Sequence, residues 1–525
     1  MTLWHPFNPN PQPRHLRMSK KLDPTTIDSI RNDIEFMAHQ SDAIRQHITM
    51  ESWLNGDEPG MGKSLIGLAC DGIARQQRIN NDPTLKLKTL VVCPSTLRLN
   101  WAREIEKMTN LRPVVLTGGP AKREVILDEF GHEDTGDILI VNYEILSKHV
   151  GDIKDMPVHW VSGIFDECHY IKSPKSQRTK ASFRVRDAMP RVFMMTGTPI
   201  MNRVTELWPV LHMIDPEVWR NAFQFQRRYA KMGGYEGKVV VGAKNKRELN
   251  DRLQPIMVRR RKADVLDLPP KIRIQIPVEM SPLQRKLYKE AKNELRLTVP
   301  GSTSDPMVME SALVAAGRLK QIATTPFAVQ YDGKDSPFKD ESNKLDLIVA
   351  KSIETIENGD RPIIFTEYRG AVEALVRRFA HKKIGLQAFQ LHGGITADKR
   401  VPLVEEWGSA SPTPLIAITK VAGQGLNMAQ FSKTAIFATR NWTPSWNEQA
   451  ENRIHRVGSG MTDSVNIINP VVIDTIEERV ENVLIEKQQL TNEIVDGQLA
   501  DEAIAPGGAD LKRKLYELLM EELES

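Results

Sequence analysis

The sequence predicts an α/β protein built as two successive lobes, each a parallel sheet wrapped by helices, with a helical stretch between them. Three observations carry this prediction. From Phe36 onward, short apolar runs alternate with amphipathic stretches, the pattern of buried parallel strands and covering helices. The alternation stops between about Pro216 and Lys344, where the chain reads as helical and polar, and then resumes. The length of 525 residues exceeds one ordinary core and suits about three or four units.

The elements follow in order. Residues 1–35 form an arm rich in Pro and Asn. In the first lobe, expected over 36–215, Thr89–Pro94, Ile138–Tyr143, Gly163–Glu167 and Val192–Thr196 read as buried strands bounded by turn or polar residues. Residues 216–343 are expected to form helical protrusions and a linker, with Gly-, Pro-, Ser- and Asp-rich loops at Lys231–Gly242, Pro300–Pro306 and Tyr331–Ser342. The second lobe, over 344–482, has strand candidates at Arg361–Thr366, Leu386–Leu391, Leu415–Thr419, Thr434–Thr439 and Val465–Ile468. A long helical stretch runs from Thr475 to Asp496. After the Pro506-Gly507-Gly508 break, an amphipathic helix over Leu511–Leu523 is expected to pack back as a brace, so 483–525 reads as a helical tail.

Composition excludes several classes. The apolar share of 40% and charged share of 26% are those of a globular protein rather than a disordered one. A net charge of +4 is only mildly basic, so a nucleic-acid partner would be held by local patches. Cys70, Cys93 and Cys168 lack any CxxC spacing, which points to a reducing compartment and away from a disulfide framework. No apolar run approaches the ~20 residues of a membrane span, and Met1 to Lys21 does not read as a secretory signal. The expectation is a cytoplasmic monomer with no membrane partner, nucleoid-associated if the chain is prokaryotic or viral in origin.

Gly60-Met61-Gly62-Lys63-Ser64 is the most informative string. Glycines let backbone amides close on phosphates, a lysine reaches the outer phosphates, and a hydroxyl at the following helix start ligates Mg2+. Asp57 stands where the strict pattern has glycine. Asp166-Glu167-Cys168-His169 follows the apolar run Val161–Phe165. A strand-end Asp can hold the metal while its neighbouring Glu polarises water, although an acidic pair is also a common solvated turn. Two such strings at predicted strand ends in one lobe favour an ATP site over coincidence.

In the second half, Arg453 and Arg456 share a helical face near Gln449 and His455. Guanidiniums there can stabilise charge on a transferring phosphate, or can form surface ion pairs with Glu448 and Glu451. The cationic run Arg259 to Lys262 is too dense to be buried unpaired; bracing the lobes and touching phosphate both stay open.

Taken together, these strings resemble the Swi/Snf-type ATPases of helicase superfamily two, in family order from about Phe36 to Glu478. Asp57–Ser64 is similar to the family's DEMGLGKT, so the displaced glycine is a family trait. Asp166–His169 resembles DEAH with Cys168 for Ala. The extension Ile171–Lys180 and Thr196-Gly197-Thr198-Pro199-Ile200, with Glu206-Leu207-Trp208, match further motifs, as do Arg259–Val265 with Leu268–Lys271, Ala422–Asn427, Trp442-Thr443-Pro444 and Gln449…Gly458. Ser459 departs from the family's usual Gln.

The resemblance implies two RecA-like lobes that bind ATP and Mg2+. It assigns Gln40 to adenine, Gly60, Met61, Gly62, Lys63, Ser64 and Gly425 to the nucleotide, Ser64 and Asp166 to the metal, and Lys63, Asp166, Glu167, Arg453 and Arg456 to hydrolysis. It also implies sequence-independent DNA binding through Ser95, Thr96, Asn142-Tyr143-Glu144, Lys172, Lys175, Arg178, Thr419 and Lys420, residue types that hold phosphates without reading bases. The activity implied is DNA-dependent ATP hydrolysis with translocation on double-stranded DNA, remodelling forks, branched DNA or protein–DNA complexes. A strand-separating helicase, the motor of a restriction or defence complex, and a silent binding scaffold are the rival readings. The scaffold predicts loss of Lys63, Glu167 or an arginine finger, and all are present.

Overall fold

The structure is a computed structural model that describes residues 27–132, 134–201, 203–233, 239–266, 269–298, 306–329, 338–423, 426–455, 464–479, 520 and 522. It divides into two compact units. The first comprises residues up to 200 with 205–229 and 247–261, and the second 201–204, 230–246 and 262 onward. Of the expected tail helices, only the first residues of Thr475–Asp496, together with Met520 and Glu522, lie within the described residues.

In chain order the first unit contains β1 (Trp53–Asn55), β2 (Leu87–Cys93), β3 (Pro113–Val115), β4 (Ile138–Asn142), β5 (His159–Asp166) and β6 (Val192–Met195). The chain then makes the antiparallel hairpin β7 (Ala230–Gly233) and β8 (Val239–Ala243), which belongs to the second unit, and returns to the first for β9 (Met257–Val258). The first sheet runs β3-β4-β2-β5-β6-β1-β9, parallel throughout. Its central strands β2 and β4 are buried along their whole length, as a sheet covered on both faces requires. Helix α1 (Ala38–His47) precedes β1, and α2 (Lys63–Asn81) follows the phosphate loop. Leu65, Ile66, Leu68, Ala69 and Ile73 of α2 bury their side chains with Val91, Ile140, Ile164 and Phe193 of the sheet. The expected strand runs Thr89–Pro94, Ile138–Tyr143, Gly163–Glu167 and Val192–Thr196 are β2, β4, β5 and β6, displaced by a few residues at their ends.

The second unit contains β10 (Lys271–Val278), β11 (Pro362–Thr366), β12 (Phe389–Leu391), β13 (Leu415–Ile418), β14 (Thr434–Phe437) and β15 (Val465–Val472). They form a second all-parallel sheet in the order β10-β15-β14-β11-β13-β12. Ile363, Phe365 and Ala417 face one core with Trp407 and Ile454, while Ile364, Ile416 and Ile436 face another with Leu345, Leu375 and Phe379. Helices Pro282–Thr298 and Pro306–Thr324 supply Tyr288, Leu319 and Ala323 to a further cluster that includes Val472 and Ile476.

The middle segment is less helical than its polarity suggests. The expected loop at Lys231–Gly242 contributes the hairpin β7–β8, Met257–Val258 completes one edge of the first sheet, and β10 is an edge strand of the second. As an edge strand β10 needs only one partner, β15, and leaves Ile272 and Ile274 exposed at 44% and 39%. No helix among the described residues is long and apolar enough to cross a membrane.

Candidate functional site

Parallel strands deliver their C-terminal ends to one edge of a sheet, and ligands bind in the loops there. On the first sheet, the loop after β1 carries Gly60–Ser64, the end of β5 carries Asp166 and Glu167, and the loop after β6 carries Thr196-Gly197-Thr198. Because β5, β6 and β1 are consecutive in the sheet, these three loops are neighbours. The predicted nucleotide residues of this unit therefore meet at one end of it.

The phosphate loop has the backbone that its glycines allow. Gly60 and Gly62 have φ of 88° and 77°, in the left-handed region open to glycine. A Cβ on Gly62 would also come within 2.2 Å of Gln40 Nε2. Gln40 thus packs over the loop. Its Oε1 accepts from the Met37 backbone at 3.0 Å and its Nε2 donates to the Met61 carbonyl at 3.4 Å. His39 Nε2 donates to the same carbonyl at 3.1 Å.

Lys63 is the first residue of α2, and its Nζ donates to the carbonyls of Asp57 at 2.7 Å and Glu58 at 3.1 Å. Burial lowers its pKa, opposed by the charges of Glu167, Asp57 and Asp166, so an anion arriving at the loop meets a cation already flanked by carboxylates. The Gly197 turn closes on the loop from the β6 side, since a Cβ there would meet the Pro59 ring at 2.7 Å.

Asp166 is held from three directions. Trp101 Nε1 donates to Oδ2 at 2.9 Å, the Glu167 backbone N–H donates to Oδ1 at 2.9 Å, and Tyr143 Oη donates to the Asp166 carbonyl at 2.8 Å. Burial and the neighbouring Glu167 charge push the Asp166 pKa upward. Glu167 has φ 48° and ψ 49°, a left-handed conformation that costs a non-glycine residue about 1–3 kcal/mol. That backbone places Glu167 Oε2 3.2 Å from His169 Nδ1 and 3.3 Å from Thr196 Oγ1, which donates to it. His169 Nδ1 also lies 3.1 Å from Thr196 Oγ1. The acidic pair is therefore wired to the turn after β6.

The residues fit a hard divalent cation. Among the described residues no group of three His, Cys, Asp or Glu side chains gathers as a metal cage. Mg2+ favours one or two protein oxygens completed by water and substrate phosphate. Asp166 retains acceptor capacity beyond its two hydrogen bonds, and its raised proton affinity marks a negative site that a cation would relieve.

The candidate nucleic-acid residues of the first unit lie farther along the same edge. Ser95 and Thr96 follow β2, Asn142 ends β4, and Lys172, Lys175 and Arg178 follow β5. In the sheet β4, β2 and β5 are adjacent, so β5 is common to both groups. Ser95 and Lys175 are exposed, and Thr96 and Lys172 half-buried. Asn142 is buried, with Nδ2 donating to Glu144 at 2.8 Å. Arg178 pairs with Glu144 at 3.5 Å and lies over the Tyr170 ring. Tyr143, expected with its neighbours to grip phosphate, is fully buried, and its hydroxyl is spent on Asp166.

In the second unit, Thr419 and Lys420 follow β13. Thr419 is buried and donates to the Thr366 carbonyl at 3.2 Å, which leaves Lys420 as the exposed member. Arg453 donates to the carbonyls of Gly423 at 2.9 Å and Leu426 at 3.3 Å, binding its turn to the loop after β13. Glu451, weighed as a surface partner for the arginines, is instead buried and paired with Lys271, Arg273 and Arg440. Gly425 and Arg456 lie outside the described residues.

Sequence reasoning missed Trp101. Its signal was a tryptophan on the buried face of the helix that follows Ser95 and Thr96. Two residues of the cationic run have their partners at the phosphate loop. Arg259 donates to the carbonyls of Gly56 and Gly197, and Arg260 pairs with Asp57, so both support the phosphate loop from behind.

The sequence matches the SNF2-related domain over residues 34–328 and the helicase conserved C-terminal domain over residues 343–458. It is 28% identical over 444 residues to an uncharacterized ATP-dependent helicase of Mycoplasma pneumoniae, covering 83% of this chain and 39% of that protein. It is 27% identical over 455 residues to the chromodomain-helicase-DNA-binding protein 1-like of Mus musculus, covering 84% of this chain and 47% of that protein. The chain thus spans less than half the length of these two relatives. Among solved structures, the Sulfolobus solfataricus SWI2/SNF2 ATPase core in complex with dsDNA overlays with a TM-score of 0.41 at 23% identity, covering 91% of this chain and 96% of that one. With the phosphate loop, the acidic pair and the second sheet in place, the chain belongs to the SNF2-related family of ATP-dependent helicases.

Proposed function

We propose that the chain is a DNA-dependent ATPase that translocates on double-stranded DNA, holding the sugar–phosphate backbone without reading bases. The observation that carries this reading is the division of one sheet edge. The loops after β6 and β1 hold nucleotide-type residues, those after β4 and β2 hold phosphate-gripping types, and the β5 end borders both. A strand-end loop shared by two ligands is a direct route by which occupancy of one alters the other.

In this reading the amides of Gly60–Ser64 cradle the phosphates of ATP and Gln40 contacts adenine. Lys63 exchanges the carbonyls of Asp57 and Glu58 for phosphate oxygens. Ser64 and Asp166 would hold Mg2+, which would supply charge neutralisation to the phosphates. Glu167 accepts a hydrogen bond from the attacking water. That water's oxygen forms a bond to the terminal phosphorus as the bridging P–O bond breaks, leaving ADP and phosphate. Arg453, Arg456 and Gly425 act on the same nucleotide, the arginines by stabilising negative charge on the transferring phosphoryl group. Ser95, Thr96, Lys172, Lys175, Arg178 and Lys420 grip the DNA backbone, while the buried Asn142 and Thr419, first expected to grip it, hold the loops that carry them.

The test compares ATP hydrolysis with duplex, single-stranded and forked DNA and with RNA. Duplex DNA is expected to raise kcat by about tenfold or more, which asks for only about 1.4 kcal/mol off the barrier. Lys63→Ala is expected to abolish both basal and stimulated rates. Equal rates with and without DNA, or stimulation by RNA or single strands alone, contradict the reading.

A further inference from the structure

The chain passes from the first unit to the second for the last time between Arg261 and Lys262. The residues on either side of that crossing are anchored to different parts of the catalytic apparatus. On the first-unit side, Arg259 Nη1 donates to the Gly197 carbonyl at 3.1 Å and also to that of Gly56. Arg260 grips Asp57 with its backbone N–H at 3.0 Å and its Nε at 3.1 Å, both on Oδ1, and with Nη2 on Oδ2. Its Nη1 donates to the His39 carbonyl. Asp57 is fully buried, and its carbonyl is the one that Lys63 occupies at 2.7 Å. A phosphate that draws Lys63 away from this carbonyl therefore disturbs the residue that Arg260 holds.

On the second-unit side, Lys262 is buried and donates to Asn452 Oδ1 at 2.8 Å and to the His455 carbonyl at 3.1 Å. Asn452 and His455 flank Arg453. The chain that follows adds to this grip. His455 Nε2 donates to the Pro269 carbonyl at 2.8 Å, and Lys271 and Arg273 pair with buried Glu451 at 3.3 and 2.8 Å. Arg453 is tied in turn to the Gly423 and Leu426 carbonyls.

Only Arg261 separates the two anchors, so the Cα atoms of Arg260 and Lys262 are never more than about 7 Å apart. Buried charge-assisted contacts at each end resist being broken, because an ion left alone there is strongly unfavourable. A short segment fixed at both ends has little slack with which to absorb a displacement.

We propose that residues Arg259–Lys262 are a coupling segment that transmits the state of the phosphate loop along the chain to the turn carrying Arg453, with Arg260 and Lys262 as positioning residues. The proposal rests on the reading of the chain as an ATPase and goes beyond it by assigning the link between nucleotide binding and the arginine turn. In this role the crossing residues hold the machinery at both ends and act through length and anchorage.

The experiment inserts two glycines between Arg261 and Lys262, which keeps every anchor and adds about 7 Å of slack. Binding of a fluorescent ATP analogue and the melting temperature are measured beside DNA-stimulated hydrolysis. Affinity within about twofold of wild type, unchanged melting and a kcat lowered about tenfold or more are expected. Lys262→Met should lower kcat with little change in KM, and Lys262→Arg should restore part of it. Wild-type kcat in the insertion variant overturns the proposal. So does a loss of nucleotide affinity in both the insertion and Lys262→Met that matches the loss of kcat, since that marks a structural role. Wild-type protein measured alongside separates the two levels: an inactive wild type sinks the ATPase reading and the coupling with it, whereas an active wild type with an equally active insertion variant sinks the coupling alone.

Discussion

The indole nitrogen of Trp101 donates a 2.9 Å hydrogen bond to Oδ2 of Asp166, so the helix that begins beside Ser95 and Thr96 positions the candidate metal ligand. The relationship ties the helix after β2 to the end of β5, next to the bond from the Tyr143 hydroxyl to the Asp166 carbonyl.

Trp101→Phe keeps most of the buried ring and removes the donor. Hydrogen bonds to charged groups contribute about 1.5–3 kcal/mol, so an Asp166 carboxylate left with only the Glu167 N–H is both harder to ionise and less well aimed. The Mg2+ concentration for half-maximal hydrolysis is expected to rise and kcat to fall by about tenfold, with DNA affinity retained. Hydrolysis across a Mg2+ titration, beside a DNA-binding isotherm, checks this. A wild-type Mg2+ profile in Trp101→Phe would remove Asp166 positioning from the account.

Lys175 is exposed on the segment after β5, where a backbone-gripping lysine should act as a point charge. Each phosphate contact releases condensed counterions, so Lys175→Ala should weaken DNA binding evenly across sequences and reduce the salt slope by about 1. Fluorescence anisotropy at several salt concentrations measures both. An unchanged slope would place Lys175 off the DNA.

Acid sensitivity should come partly from two histidines held neutral. Burial, and then the Arg260 charge, lowers the His47 pKa to about 3. Burial lowers that of His455 to about 4, with the Pro269 contact opposing and the Lys271 and Lys262 charges adding to the depression. Unfolded histidine titrates near 6.5, so below that pH the unfolded chain binds protons that the folded chain refuses. The stability is complete above pH 6.5 and is lost as pH falls toward about 4 for His455 and about 3 for His47, at up to about 1.4 kcal/mol per pH unit for His47 and less for His455, where solvent screens the charge. Urea unfolding at pH 7 and pH 5 should show a smaller acid loss in His47→Asn than in wild type. Parallel losses would contradict the assignment.

The features legible in the sequence are local ones. Gly60–Ser64 is one contiguous string whose backbone demands glycine, and Asp166 announces itself by ending an apolar run. The strands β2, β4, β5 and β6 are buried on both sides, so their apolar runs stand out. What escaped depends on which strands become neighbours. Trp101 is tied to a residue far along the chain, across a sheet order that connectivity alone does not fix. Arg260 was visible as charge, but its partner Asp57 lies near the other end of the first unit. Strand β9 is too short to show a period. The alternating Ile272, Ile274 and Ile276 of β10 were submerged in a polar segment, because an edge strand buries only part of what it carries.

The most direct test of the central claim is displacement of a third strand from a triplex placed at the end of a DNA duplex. With ATP, the wild-type protein is predicted to displace that strand while leaving a forked duplex of the same length paired, and Lys63→Ala is predicted to do neither. Unwinding of the fork without triplex displacement, or displacement by Lys63→Ala, would contradict translocation on double-stranded DNA.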